Sequence, residues 1–139
     1  MSKIAIVYWS GTGNTEAMAR LVSEGAGGQA ELFTADAFSP DLAGQYRALA
    51  FGCPSMGAEQ LEESEFEPMF QAVLPHLSGK DIALFGSYGW GDGEWMRTWA
   101  GQCEDAGCRL VCEPVIACGA PEGSSADDCR AMGQALAAL

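Results

Sequence analysis

Residues 3–15 read Lys3-Ile4-Ala5-Ile6-Val7-Tyr8-Trp9-Ser10-Gly11-Thr12-Gly13-Asn14-Thr15. The first seven form a near-continuous apolar run, as expected of a strand buried on both faces in a parallel sheet. The run stops at a stretch of glycines, hydroxyls and an amide. Met18, Leu21 and Val22 then recur at helical spacing until Gly25, Gly27 and Gly28 end the pattern. Strand, Gly-rich turn and helix follow one another within the first 28 residues.

The same alternation continues along the chain. Further strands are expected at 31–35, 47–53, 81–88 and 109–118, the last interrupted at Pro114. A weak helix is expected near Asp41. A strongly amphipathic one is expected over 66–77, with Pro68 in its first turn. A third holds Trp95, Met96, Trp99 and Cys103 and ends at Gly107, and a last spans 127–139. Strand–helix alternation five times over predicts a doubly wound α/β sandwich, with a parallel sheet between two helical layers. No linker, repeat or low-complexity tract divides residues 1–139, which read as a single domain.

Composition narrows the function. The chain has 139 residues, of which 48% are hydrophobic and 19% charged, enough to bury a core. Seven basic against 19 acidic side chains give a net charge of −12. Such a balance argues against nucleic acid, whose binding needs clustered Lys and Arg, and against anionic membrane surfaces. The apolar N-terminal stretch reads as a first strand and not as a signal peptide. A cytoplasmic, monomeric protein is the expectation. The six cysteines lack close C-x2-C pairs and read as free, core-filling thiols, without a metal role. The lone histidine, His76, falls at a helix end with no nucleophile beside it.

In doubly wound sheets, ligands bind beyond the carboxyl ends of the strands. Three loops fall there, and they are the most unusual stretches of the chain. Ser10-Gly11-Thr12-Gly13-Asn14-Thr15 can converge backbone N–H groups on a phosphate at a helix N-terminus. It has neither the lysine of G-x-x-x-x-G-K-[ST] nor the final glycine of G-x-G-x-x-G. On its own it also fits a plain capped turn. Ser55-Met56-Gly57-Ala58-Glu59 sets a soft apolar side chain beside a permissive peptide and an acceptor. Tyr88-Gly89-Trp90-Gly91 holds a Trp between glycines, either a surface aromatic or half of a stacking slot. Together they describe a ligand with a phosphate at one end and a flat heteroaromatic ring at the other, which flavin mononucleotide (FMN) satisfies.

These three motifs, in this order, resemble the short-chain flavodoxins over essentially the whole chain. The lack of a long insertion in the fifth strand points to that class. The resemblance implies a flavodoxin-like fold, with a five-stranded parallel sheet in the order 2-1-3-4-5. It also implies non-covalently bound FMN and one-electron transfer between redox proteins, cycling mainly between semiquinone and hydroquinone, without substrate turnover. By motif match, Ser10, Thr12, Asn14 and Thr15 hold the phosphate on the turn made by Gly11 and Gly13, helped by Ser55 and Ser87. Met56 and Trp90 flank the ring, with Tyr88 beside them. Glu59 accepts from ring N3–H, Gly89 and Gly91 donate to the pyrimidine edge, and the Gly57 carbonyl accepts from N5–H. Ala58 stands where relatives often carry a polar residue.

Glu59, Glu62, Glu63, Glu65 and Glu67 lie in a stretch without Lys or Arg between Arg47 and Lys80. They are expected to lower the second reduction potential and to steer the protein towards basic docking patches on redox partners. They also fit a solvated helix start. Other readings of the fold fare worse. A pyridine-nucleotide quinone reductase needs a basic or polar nucleotide pocket. A phosphoacceptor domain needs an Asp where Cys53-Pro54 stands.

Overall fold

The computed structural model describes residues 4–57 and 59–139. Its strands are β1 (Ile4–Tyr8), β2 (Ala30–Thr34), β3 (Ala48–Gly52), β4 (Asp81–Tyr88), β5 (Arg109–Leu110) and β6 (Val115–Cys118). The helices are α1 (Asn14–Gly25), α2 (Pro40–Ala43), α3 (Phe66–Val73), α4 (Glu94–Asp105) and α5 (Ser124–Ala137). All strand pairs are parallel, in the order β2-β1-β3-β4-β5, with β6 also on β4. The doubly wound sandwich expected from the alternation is therefore present.

Strand pleating sorts side chains between two cores. Ala5, Val7, Leu49, Phe51, Ile82 and Leu84 face α3 and α4, where Phe66, Phe70, Trp95 and Trp99 are buried. Ile4, Ile6, Ala48, Ala50, Ala83 and Phe85 face α1 and α5. The alanines on the second face let α1 lie close to the sheet. Four of the cysteines (Cys53, Cys103, Cys108 and Cys129) are buried among these side chains, Cys112 is half-buried and Cys118 is exposed, and all six are free thiols.

The fifth strand position departs from a continuous run for the reason Pro114 supplies. Val111 N–H still donates to the Ile82 carbonyl at 3.0 Å. The chain then leaves the sheet through Cys112 to Pro114, which has no N–H to offer the ladder, and rejoins β4 at Val115 opposite Phe85. Two short strands thus share one edge. Similarly, α3 ends at Val73 and tightens into a 3-10 turn over Leu74–His76, around Pro75.

Helices α1 and α5 cross at two glycines. A Cβ on Gly133 would run into the Val22 carbonyl and come within 2.7 Å of the Ala26 nitrogen. One on Gly25 would run into the Arg130 carbonyl. Helix propensity alone favours Gly→Ala by ~1 kcal/mol at such positions. Here the clash wins, because overpacking costs ~1–3 kcal/mol and the obstacle is backbone. Gly133→Ala is therefore expected to lower the urea midpoint of unfolding. An unchanged or higher midpoint would mean that the helices separate freely.

Candidate functional site

The sheet topology reverses between β1 and β3, and the loops leaving β1, β3 and β4 meet above this point. The first loop is shaped by Ser10. Its Oγ accepts from Gly13 N–H at 3.0 Å and Glu16 N–H at 3.2 Å, while Gly13 adopts φ +97° to enter α1. Gly13, as the helix cap, offers no side chain. The N–H groups of Asn14 and Thr15, at the head of α1, are left without an intrahelical partner. Thr15 is buried, and its Oγ1 has no hydrogen-bond partner among the described residues. Leaving such a hydroxyl unpaired costs ~1–3 kcal/mol, so its environment calls for an acceptor. A phosphate oxygen supplies one, next to free N–H groups and the positive end of a helix.

A cavity of about 270 Å³ opens over this cradle. Gly11, Thr12, Asn14 and Thr15 line it from the first loop, Ser55 and Met56 from the second, and Ser87, Tyr88 and Gly89 from the third. No basic side chain among the described residues lines it. Ser10 and Gly13 shape the first loop and do not line the cavity. Gly57, Glu59, Trp90 and Gly91 also lie outside it, on the loops that continue from Met56 and Gly89. Ala58 is outside the described residues. Trp90 is 64% exposed. The 56–60 turn is closed by Met56 N–H to the Gln60 carbonyl at 2.8 Å and the reverse bond at 3.0 Å, with Gly57 at φ +49° and Glu59 at φ +54°.

Trp9, Pro54 and Gly119 complete the wall; Pro54 opens the second loop, whereas Trp9 and Gly119 lie outside the three loops that the sequence points to. The indole Nε1 of Trp9 donates to Glu65 Oε1 at 2.9 Å, and its ring lies so close to Gly11 that a Cβ there would sit 3.1 Å away. Ser87 Oγ donates to the Gly119 carbonyl at 2.6 Å, pinning the chain beyond β6 against β4. The Trp95 indole donates to the Cys53 carbonyl at 3.2 Å and holds the end of β3. Trp9 directly precedes the loop, the one clue the sequence offers; Gly119 is reachable only through the pairing of β6 with β4.

The loop beyond the 56–60 turn is anchored by Glu62, a buried carboxylate. Burial alone would raise its pKa. Ser64 Oγ–H and the N–H groups of Phe66 (2.8 Å), Glu65 (2.8 Å) and Ser64 (2.9 Å) all donate to it and hold it down at about 2. It caps α3 from four residues upstream of Phe66. Its own N–H donates to the Cys53 thiol at 3.3 Å, and burial pushes that thiol's pKa well up.

A doubly wound sheet with unpaired donors at the head of its first helix, over a cavity at the switch point, has the architecture of nucleotide-binding α/β proteins, and the comparisons narrow it. The sequence model of the family described as Flavodoxin matches residues 6–133. The flavodoxin of Megasphaera elsdenii is 41% identical over 137 residues, covering 96% of this chain and 98% of its own. That of Clostridium beijerinckii is 43% identical over 135 residues, covering 95% and 97%. The solution structure of two-electron reduced Megasphaera elsdenii flavodoxin superposes with a TM-score of 0.90 over 98% of this chain and 99% of that one. The chain belongs to the flavodoxin family. It is an FMN-dependent electron-transfer protein, without substrate turnover of its own.

Two outcomes are expected from the geometry. Thr15→Val removes an unpaired buried hydroxyl at nearly constant shape, so the flavin-free protein should be as stable as wild type or more so. FMN affinity should fall at least tenfold, while affinity for riboflavin, which lacks the phosphate, stays level. Equal losses for both ligands would remove the phosphate assignment. Glu62→Gln should cost ~1–2 kcal/mol. Because folding lowers this pKa from 4.5 to about 2, its stabilisation is full above pH 4.5. It fades as pH falls towards 2, and the stability difference between the two proteins in acid titrations should close over that window.

Proposed function

We propose that the chain is a low-potential one-electron carrier whose residues 1–139 act as a single FMN-binding domain. The observation that carries the cofactor's placement is the unpaired Thr15 hydroxyl beside the free N–H groups at the head of α1. In this reading Ser10, Thr12, Asn14 and Thr15 hold the phosphate, with Ser55 at the wall of the same cavity. Ser87 acts chiefly by fixing Gly119, since its hydroxyl proton goes to that carbonyl. Met56 and the exposed Trp90 cover the two faces of the ring and exclude water. Gly89 and Gly91 offer N–H groups to its pyrimidine edge, and Glu59 accepts from N3–H. Gly57 has no Cβ to hinder reversal of its peptide, so its carbonyl can accept from N5–H. FMN, when bound, supplies the one-electron chemistry.

Electrostatics supports the low potential. Among the described residues, none that lines the cavity is basic. Glu63 and Glu65 are exposed and Glu67 is half-buried near the second loop. A carboxylate ~10 Å from the ring at an effective dielectric of ~40 opposes an added electron by ~35 mV. The acidic side chains of this stretch would attract a partner's basic patch. A monomer in the cytoplasm suits such short-lived encounters.

Anaerobic reductive titration of the FMN-loaded protein tests the reading. The second one-electron potential should lie well below that of free FMN, and Glu63→Gln or Glu67→Gln should each raise it by up to ~35 mV, less at high salt. A second step no lower than free FMN's would sink the low-potential assignment. Electron transfer to a basic partner should slow as ionic strength rises.

A further inference from the structure

We propose that Glu59 is a positioning residue that clasps together the two loops flanking the ring slot, by capping α4 from outside its own loop. Glu59 is the one non-glycine residue with positive φ among the described residues, at +54°. Glycine or asparagine would hold that backbone at lower cost, so a glutamate there must be retained by its side chain.

The carboxylate meets the 89–94 segment at two points. Oε1 accepts from Glu94 N–H at 3.0 Å, across 35 residues of sequence. Glu94 is the first residue of α4, and the cap before it is Gly93, which has no side chain to offer. Glu59 therefore does the work of an N-cap and meets the positive end of the helix. The second contact is with Gly91, at φ +89°. A Cβ there would sit 2.7 Å from Glu59 Cδ and 2.8 and 3.0 Å from its two oxygens. The carboxylate thus lies directly against the Gly91 backbone. Arg97, in the same first turn of α4, is engaged elsewhere: its guanidinium donates to the Asp92 carbonyl at 2.9 Å and to Asp92 Oδ1 at 3.1 Å.

The 56–60 turn and the 89–94 loop are thereby held at a fixed separation before any ligand arrives. Such preorganisation strengthens binding by removing an ordering cost. The carboxylate retains lone pairs beyond the one given to Glu94. That these serve the ring edge rests on the function proposed above; the clasp itself does not.

Amide hydrogen exchange at Glu94, measured by NMR on the purified protein with and without added FMN, reads the clasp directly. Glu59→Ala should speed that exchange roughly tenfold or more, the range for one hydrogen bond to a charged acceptor. Glu59→Gln keeps an acceptor and should stay within a few-fold of wild type. Glu59→Gly relieves the strained backbone and should be more stable overall than Glu59→Ala, yet lose Glu94 protection to the same extent. FMN and riboflavin affinities should fall by matching factors in the Ala and Gly variants, since the slot and not the cradle is loosened. Unchanged Glu94 protection in both variants overturns the clasp, whatever happens to flavin binding. Failure of the wild-type protein to bind FMN would instead strike the functional reading and leave the exchange result standing.

Discussion

Three backbone hydrogen bonds just beyond the strand ends place everything that follows. Trp9 N–H donates to the Gly52 carbonyl, Cys53 N–H to Phe85 and Ser55 N–H to Ser87, at 3.1, 3.1 and 3.0 Å. They continue the ladders of β1, β3 and β4 by one or more residues, so the three loops leave the sheet side by side. Two glycines make this possible. At Gly52 any Cβ would meet the Phe85 ring, and at Gly86 it would meet the Cys53 carbonyl. A side chain at either position would push β3 from β4 and separate the loop carrying Met56 from the one carrying Trp90.

Layer order, strand order and the three loops could be read from the sequence because each rests on a local pattern, whereas the split of the fifth strand position into β5 and β6 could not. Apolar runs mark strands buried on both faces, and glycines with hydroxyls mark a helix head at a strand end. What stayed hidden were pairings between segments far apart. The glutamate-rich stretch shows this best. Read along the chain it is a uniform acidic helix start. In the fold Glu59 reaches α4, Glu62 is buried under four donors, Glu63 accepts from Gln60, and Glu65 holds the Trp9 indole. Four identical side chains have no periodicity that could separate these fates. Trp9 was hidden for a related reason, since the apolar run that marks β1 absorbs it.

The cations are distributed as unevenly as the acids. Arg47, Lys80 and Arg109 lie at the amino ends of β3, β4 and β5, with Arg109 paired to Asp81 at 2.8 Å and Lys80 bonded to the Tyr46 carbonyl at 2.7 Å. That is the edge of the sheet opposite the cavity. Surface pairs of this kind add little stability. At the carboxyl end of the sheet, Arg97 is held by Asp92 at 3.1 Å, and no basic side chain among the described residues lines the cavity.

The glycine crossing of α1 and α5 also bears on how the protein is made. Arg130 on α5 bonds to Glu24 on α1 across 106 residues, and Gly133 closes on the Val22 carbonyl. Until α5 has left the ribosome, one flank of α1 has nothing to pack against, although its sheet partners are already synthesised. The helix whose head carries Asn14 and Thr15 is therefore among the last parts of the domain to be fixed in place. Ordering of this wall of the cavity becomes a late event, coupled to the arrival of a helix that contributes no residue to the cavity.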